Sequence, residues 1–278
     1  MIFSVVVDSC CDLTGSMLCD GEFKIVPLTI HVGEQAFIDD ASLRQKELLS
    51  AMNANPEAPH TSCPSPAAYL DAFESADGDI YVVTLSALLS GSHNSARQAA
   101  SLFLEKHPER RIHIFNSCSA SAGEVLLALK IKELAGSGLP FSEVVRQGDH
   151  FITEMNTLFI LENLDNLKKN GRLTRMQVAL TGALHIKLLM GATPEGEICK
   201  RGQALSVKQG LSKLVQMMRA DEKHPGKTLC IAHCNCPTRA EELRMLILKN
   251  CDFRDIVLCQ THGISTVYAN DGGIVCAY

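Results

Sequence analysis

The chain has 278 residues, too many for one minimal domain and enough for two modest lobes that share a cleft. Its 26 Lys and Arg against 31 Asp and Glu give a net charge of -5, without the basic footprint that a phosphate backbone demands, so nucleic acid is excluded as an expected partner. Hydrophobic residues make up 46% of the sequence, aromatics only 5% and Trp is absent, which predicts a soluble globular chain with an aliphatic core.

The opening run Met1 to Asp8 has no basic segment before it and ends in an acid, so it reads as a first β-strand rather than a signal peptide. Further strands are expected near 24–32, 79–85, 110–115 and 157–161, alternating with helices near 42–54, 66–76, 92–106 and 122–136. Such alternation predicts a largely parallel sheet covered by helices. Ser65 and Pro66 mark one helix start, as a cap and a first-turn proline. The helix from Ser92 places Ala96, Ala99, Ala100 and Phe103 on one stripe, which should face the core.

Beyond about residue 160 the texture changes. A Lys-rich segment, Leu167 to Arg175, precedes a helix-like stretch, then a hairpin turning at Pro194-Glu195-Gly196. A helix over about 205–220, a strand at 228–233, a helix with Thr238 and Glu241 as a capping box, a strand from Asp255 to Cys259 and a last strand-like run to Tyr278 follow. The expected organisation is an N-terminal α/β lobe over 1–160 and a C-terminal α/β lobe over 161–278, with a ligand between them.

The longest apolar stretch, Val178 to Ala192, is interrupted by His185 and Lys187 and falls short of a bilayer span, so no stable membrane insertion is expected. The 12 cysteines are scattered and are expected to be reduced thiols of a cytoplasmic protein. The group Cys230, His233, Cys234 and Cys236 has ligand chemistry for zinc, but it lacks a distant second pair and begins inside a strand-like run, so no metal is expected.

Two segments place hydroxyls and glycine just before a helix: Thr61-Ser62-Cys63-Pro64-Ser65-Pro66 and Ser86-Ala87-Leu88-Leu89-Ser90-Gly91-Ser92. The second follows a strand, so it should sit at the carboxyl edge of the sheet, where open α/β folds bind ligands. Unpaired N–H groups at a helix start, joined by neighbouring hydroxyls, favour an anion such as a carboxylate or phosphate. The same hydroxyls also serve as ordinary helix caps.

Several motifs in one order resemble the DegV family from end to end. Val7-Asp8-Ser9-Cys10-Cys11-Asp12-Leu13 is similar to the opening "DSTxDL", Ile25-Val26-Pro27-Leu28 to the "VPL" strand, and Thr61-Ser62-Cys63-Pro64-Ser65 to "TSQPS". Leu89-Ser90-Gly91-Ser92-His93-Asn94-Ser95-Ala96 is similar to "LSGTYQSA", Asn170-Gly171-Arg172-Leu173 to "GRI", and His185-Ile186-Lys187 to "IKP". The resemblance implies a two-lobed carrier, not itself an enzyme, that buries one long-chain fatty acid without any cofactor. It further implies a carboxylate held by Thr61 and Ser90, with Ser62, Gly91 and Asn270 in the same ligand set. Bacterial members are similar to the binding subunit of a fatty acid kinase, which implies a kinase partner docking at Arg172 and Arg201.

Some positions depart from the family pattern. Asn270 stands where the family usually has a His and cannot carry its proton charge, and Cys63, Asn116 and Leu188 replace a Gln, an Asp and a Pro. An alternative reading makes Ser90 the nucleophile of a hydrolase acting on a lipid or acyl ester, with His93 or His262 as base, but no G-x-S-x-G elbow is present. Neither dinucleotide-binding nor P-loop glycine motifs occur.

Overall fold

The computed structural model describes residues 2–19, 21–174 and 186–278. The first lobe is built on β1 (Phe3–Asp8), β2 (Phe23–Val26), β6 (Asp79–Thr84) and β7 (Ile112–Asn116), all parallel, in the order β2-β1-β6-β7. Val5, Val6 and Val7 of β1 and Ile80 to Val83 of β6 are buried on both faces, which is why these strands are unbroken apolar runs. On one face lie α2 (Pro66–Glu74) and α3 (Ser92–Lys106), on the other α4 (Ala122–Gly136) and α5 (Phe141–Glu154).

The local signals at α2 and α3 are realised. Ser65 accepts a hydrogen bond from the Ala68 N–H at 3.2 Å with Pro66 in the first turn, and Ala96, Ala99, Ala100 and Phe103 are all buried. The aliphatic core needs one correction, since Tyr69, Phe73 and Phe103 form an aromatic corner between the two helices, with ring centroids 6.0 and 5.9 Å apart in turn.

The strand expected over 24–32 is two strands. Pro27 cannot donate to a ladder, and the chain turns there out of β2 into β3 (Thr29–Val32), which pairs antiparallel with β4 (Gln35–Ile38) and β5 (His60–Ser62) in a separate small sheet. The strand expected to close the first lobe, β8 (Thr157–Ile160), belongs to the second. It pairs antiparallel with β9 (Lys187–Ala192) and β13 (Ile274–Ala277). The six-stranded sheet runs β10-β9-β8-β13-β11-β12, completed by β10 (Ile198–Ala204), β11 (Thr228–His233) and β12 (Asp255–Gln260). A short, wholly buried run of Thr-Leu-Phe-Ile carries no sign of which sheet will accept it.

The other α-helices among the described residues are α1 (Gln45–Ala54), α6 (Asp165–Lys169), α7 (Val207–Ala220), α8 (Pro237–Asn250) and α9 (Gly263–Ala269). The capping box expected at α8 does not form. The helix starts at Pro237, Thr238 lies inside its first turn, and Glu241 pairs with Arg244 at 2.9 Å. The helix-like stretch expected after Arg175, together with His185, lies outside the described residues.

One element joins the lobes. Helix α4 is buried nearly all round, with Val125, Leu127 and Ile131 packed between Val5, Tyr81 and Val83 of the first sheet and Cys230, Ala232 and Ala277 of the second. Each fully buried aliphatic side chain there contributes roughly 1.5–3 kcal/mol, so the two sheets are held by a shared core as well as by loops.

Candidate functional site

The carboxyl ends of β1, β6 and β7 supply three loops, represented by Cys10, by Leu85 and Leu89, and by Ser119 to Ser121. Facing them are β8, the β9–β10 turn, α6 and α9 of the second lobe, with Phe159, Leu161, Leu167, Ile198 and Ala269. Between the two sides lies an overwhelmingly apolar cavity of about 110 Å³. It lies at the carboxyl ends of the parallel strands, where an open α/β fold binds ligands.

The β9–β10 turn seats closely on the first lobe. Gly196 has φ +92° and its carbonyl accepts a hydrogen bond from Ser86 Oγ at 2.8 Å; a Cβ there would stand 2.4 Å from Ser86 Oγ. Only glycine meets both demands.

Polar groups gather at one rim of the cavity. Thr61, on β5, shares a 2.7 Å hydrogen bond between its Oγ1 and the hydroxyl of Tyr268, which lines the cavity from α9. Burial pushes the Tyr268 phenol up, opposed by the Thr61 hydrogen bond and the Arg172 charge, so it remains a neutral donor. Arg172 Nε donates to the Leu89 carbonyl at 3.2 Å, its guanidinium also donates to the Asn170 carbonyl, and its centre lies 6.0 Å from the Tyr268 ring. Arg172 lines the cavity and also a surface depression that includes Ser90, Gly91, His93 and Arg97.

The two hydroxyl-bearing loops meet, because the Cys63 sulfur stands 3.0 Å from where a side chain on Gly91 would begin. Ser90 Oγ accepts from the Ser92 N–H at 3.2 Å, and Ser62 is exposed. Arg172 thus links the cavity to the depression that holds Ser90 and Gly91, and Thr61 reaches the cavity wall through Tyr268.

Asn270 and Arg201 adjoin residues of the cavity wall without lining it themselves. Asn270 ends α9 with φ +56°, its side-chain oxygen accepting from Asn166 Nδ2 at 3.1 Å, and it is not part of the cavity wall. Arg201 sits at a shift in the β9–β10 ladder, donates to the Ala192 carbonyl at 2.7 Å and borders a different depression with Cys118, Asn156 and Thr193.

The hydrolase geometry is not formed. His93 Nδ1 pairs with Thr84 Oγ1 at 3.1 Å and His262 Nε2 with the Leu13 carbonyl at 3.0 Å, while Ser90 Oγ meets neither ring. Cys230 lies on β11, its sulfur 3.4 Å from that of Cys259, and among the described residues no group of three His, Cys, Asp or Glu side chains is placed to hold a metal ion.

Sequence reasoning missed the polar cluster behind the cavity. Asp8 is fully buried and accepts from the Cys10 N–H at 3.1 Å, the Leu85 N–H at 3.1 Å and Ser92 Oγ at 2.6 Å. Asp12 accepts from Ser121 Oγ at 2.5 Å and the His262 N–H at 2.6 Å. Burial pushes each carboxyl up to about 6 against these donors. Glu124, on α4, has no hydrogen-bond partner for either oxygen among the described residues, and burial beside two other acids drives it well up, so it is held as a neutral acid. The available signals were an acid directly before the apolar run Val125 to Leu129 and the two acids of the opening Asp8 to Asp12 motif.

Two α/β lobes sharing a helix layer, with an apolar cavity between them that Arg172 and Tyr268 border, have the architecture of a small-molecule binding protein. The chain belongs to the DegV family: the model for that family of uncharacterised proteins matches residues 2–278. A DegV domain-containing protein of Streptococcus gordonii is 36% identical over 281 residues, covering 100% of this chain and 99% of the relative. A DegV family protein from Ruminococcus gnavus, solved with vaccenic acid, superposes with a TM-score of 0.94 at 44% identity, covering 99% of both chains. The fatty acid kinase (Fak) B3 protein of Streptococcus pneumoniae, loaded with linoleic acid, does so with a TM-score of 0.90 at 34% identity, covering 100% of this chain and 99% of its own. No helix among the described residues is long and apolar enough to cross a membrane.

Proposed function

We propose that this protein binds one long-chain fatty acid in the cavity between its lobes and presents the carboxylate to a separate fatty acid kinase for conversion to an acyl phosphate. The observation that carries the reading is the apolar cavity between the lobes, with Arg172 and the Thr61–Tyr268 pair at its edge. At ~0.8 kcal/mol per buried CH₂, a chain of about fifteen methylenes gains on the order of 12 kcal/mol of gross transfer energy. A charge-assisted contact at the rim adds only ~1–3 kcal/mol. The tail therefore supplies affinity, and the rim sets orientation.

In this reading the carboxylate accepts from Thr61 and Ser90, with Ser62 and Gly91 completing the two loops and Tyr268 turning its hydroxyl to the same oxygen. Arg172 faces both the cavity and the outer depression, a position suited to steadying charge as the head group meets a partner. The linoleic-acid complex of the Streptococcus pneumoniae kinase protein and the vaccenic-acid complex of the Ruminococcus gnavus protein support the ligand class. All 12 cysteines are free thiols, which supports a reducing, cytoplasmic setting.

Mass spectrometry of an organic extract from purified protein, beside a Thr61→Ala/Ser90→Ala double variant, tests the binding. Stoichiometric long-chain fatty acid, depleted in the variant, is the expected result; no lipid above blank in the wild type would overturn it. For the kinase step, Arg172→Ala is expected to retain lipid while acyl phosphate formation with a bacterial fatty acid kinase falls at least about tenfold.

A further inference from the structure

The cavity runs along β8. Thr157, Phe159 and Leu161, at alternate positions, all line it, and at the rise of a β-strand they span about 13 Å. Past Leu161 the chain leads into α6 and Arg172, where the cavity meets the depression that holds Ser90 and Gly91. Thr157 marks the opposite end, beside Ala192 of β9, whose neighbour Gly191 pairs with Leu158.

The sides and the Thr157 end are closed differently. Phe159, Leu161, Leu167 and Ile198 belong to one buried apolar cluster, and Leu85 and Ile264 to another, so the side walls are backed by packed side chains. At the far end the wall is one residue thick. Thr157 and Ala192 line both the cavity and the surface depression of Cys118, Asn156, Thr193 and Arg201, and Ser119 lines the cavity while its neighbour Cys118 lines the depression. This end is closed by a 2.7 Å hydrogen bond between Ser119 Oγ, on the first lobe, and Thr157 Oγ1, on the second sheet. Parting that pair exchanges one hydrogen bond for hydration at a surface depression, whereas moving a side wall pulls packed hydrocarbon apart.

At about 110 Å³ the cavity is smaller than the roughly 150 Å³ that takes a single benzene ring in an apolar core, so a long acyl chain outgrows it. With the carboxylate held at the Arg172 end, the chain grows toward Thr157. We propose that the methyl end of the bound chain leaves the cavity between Ser119 and Thr157 and lies in the outer depression, so that the site is a channel open at both ends. The inference rests on the fatty-acid reading of the cavity. A channel of this kind takes chains longer than its own wall, and chains that carry a bulky group at the methyl end, without a penalty for length.

Competition binding to delipidated protein tests this, with hexadecanoic acid, docosanoic acid and hexadecanoic acid carrying a pyrene at its methyl end. The two larger acids are expected to bind at least as tightly as hexadecanoic acid, and iodide in the buffer should quench the bound pyrene. Thr157→Leu, and independently Ala192→Leu, thicken the closure, so each should lower affinity for the pyrene-bearing acid at least about tenfold more than for hexadecanoic acid. Larger acids that bind the wild type about tenfold or more weakly than hexadecanoic acid, a bound pyrene that iodide does not reach, or variants that weaken all three acids alike overturn the inference and leave the fatty-acid reading intact. Failure of hexadecanoic acid itself to bind the wild type overturns both.

Discussion

The loops after β1, β6 and β7 border two buried regions of opposite chemistry. Toward α4 they enclose Asp8, Asp12 and Glu124, where Asp8 and Asp12 are held by short hydrogen bonds and Glu124 has none. Toward the second lobe they present Leu85, Leu89 and Ala120 to a cavity with room in it. A dry space can stay empty at modest cost when its walls are apolar, but a buried acid is stable only with its partners or its proton in place. The polar cluster therefore fixes the loops so that the cavity beside them keeps its shape.

The largest expected effect comes from titrating the polar side. Asp8 and Asp12 have folded values of about 6, above the ordinary 3.8. Between those values the native state holds protons that the unfolded chain has released, so stability falls as pH rises from about 4 to about 6, and Glu124, raised well above its ordinary range, extends the fall to higher pH. The loss is on the order of 3 kcal/mol for each group. Urea unfolding at a series of pH values reads it directly, and a midpoint that rises over that window would contradict the assignment.

Asp8→Ala should cost about 3 kcal/mol at neutral pH, because it strands the Cys10 and Leu85 N–H groups and Ser92 Oγ in a buried site. Thermal melting would show it, and a shift of less than a degree would mean that the loops are held by something else. Glu124→Gln should act in the opposite direction. Glu124 is neutral in the folded protein but ionised in the unfolded chain at pH 8, so Gln removes the cost of taking up a proton on folding and should stabilise the protein there by about 1 kcal/mol. The gain should shrink near pH 5, where the neighbouring acids carry protons.

On the cavity side the smallest change in stability is expected. Ala120→Leu fills empty space, so unfolding free energy should move by less than about 1 kcal/mol. Fatty-acid affinity should nevertheless fall several-fold, since the added methylenes occupy the chain's path. A variant that loses stability as heavily as Asp8→Ala would show that the cavity wall is packed as tightly as the polar side.

What the sequence disclosed followed distance along the chain. The Ser65 cap, the alanine stripe of α3 and the turn at Pro194-Glu195-Gly196 are decided within a few residues, and each was legible. The loops carrying Thr61 and Ser90 were legible as anion-binding candidates, and the family resemblance placed them at one site. Tyr268 was not, because its partner Thr61 lies 207 residues away and nothing near Tyr268 marks it as part of the rim. The sheet that receives β8, and the role of Glu124 between two sheets, are likewise settled by remote neighbours. Asn270 and Arg201 were selected through aligned motifs; neither lines the cavity, and each adjoins residues that do.

Asp39, in the chain just after β4, accepts from the Gly263 and Ile264 N–H groups at 2.7 and 2.8 Å, so the first turn of α9 is gripped by the other lobe. The same helix carries Ile264, Ser265 and Tyr268 on the cavity wall. Parting the lobes therefore breaks two charge-assisted bonds and uncovers the wall in a single event. Residence time of an enclosed chain is then set by how often this latch opens, and a partner that engages the rim can shorten it without weakening any contact along the tail.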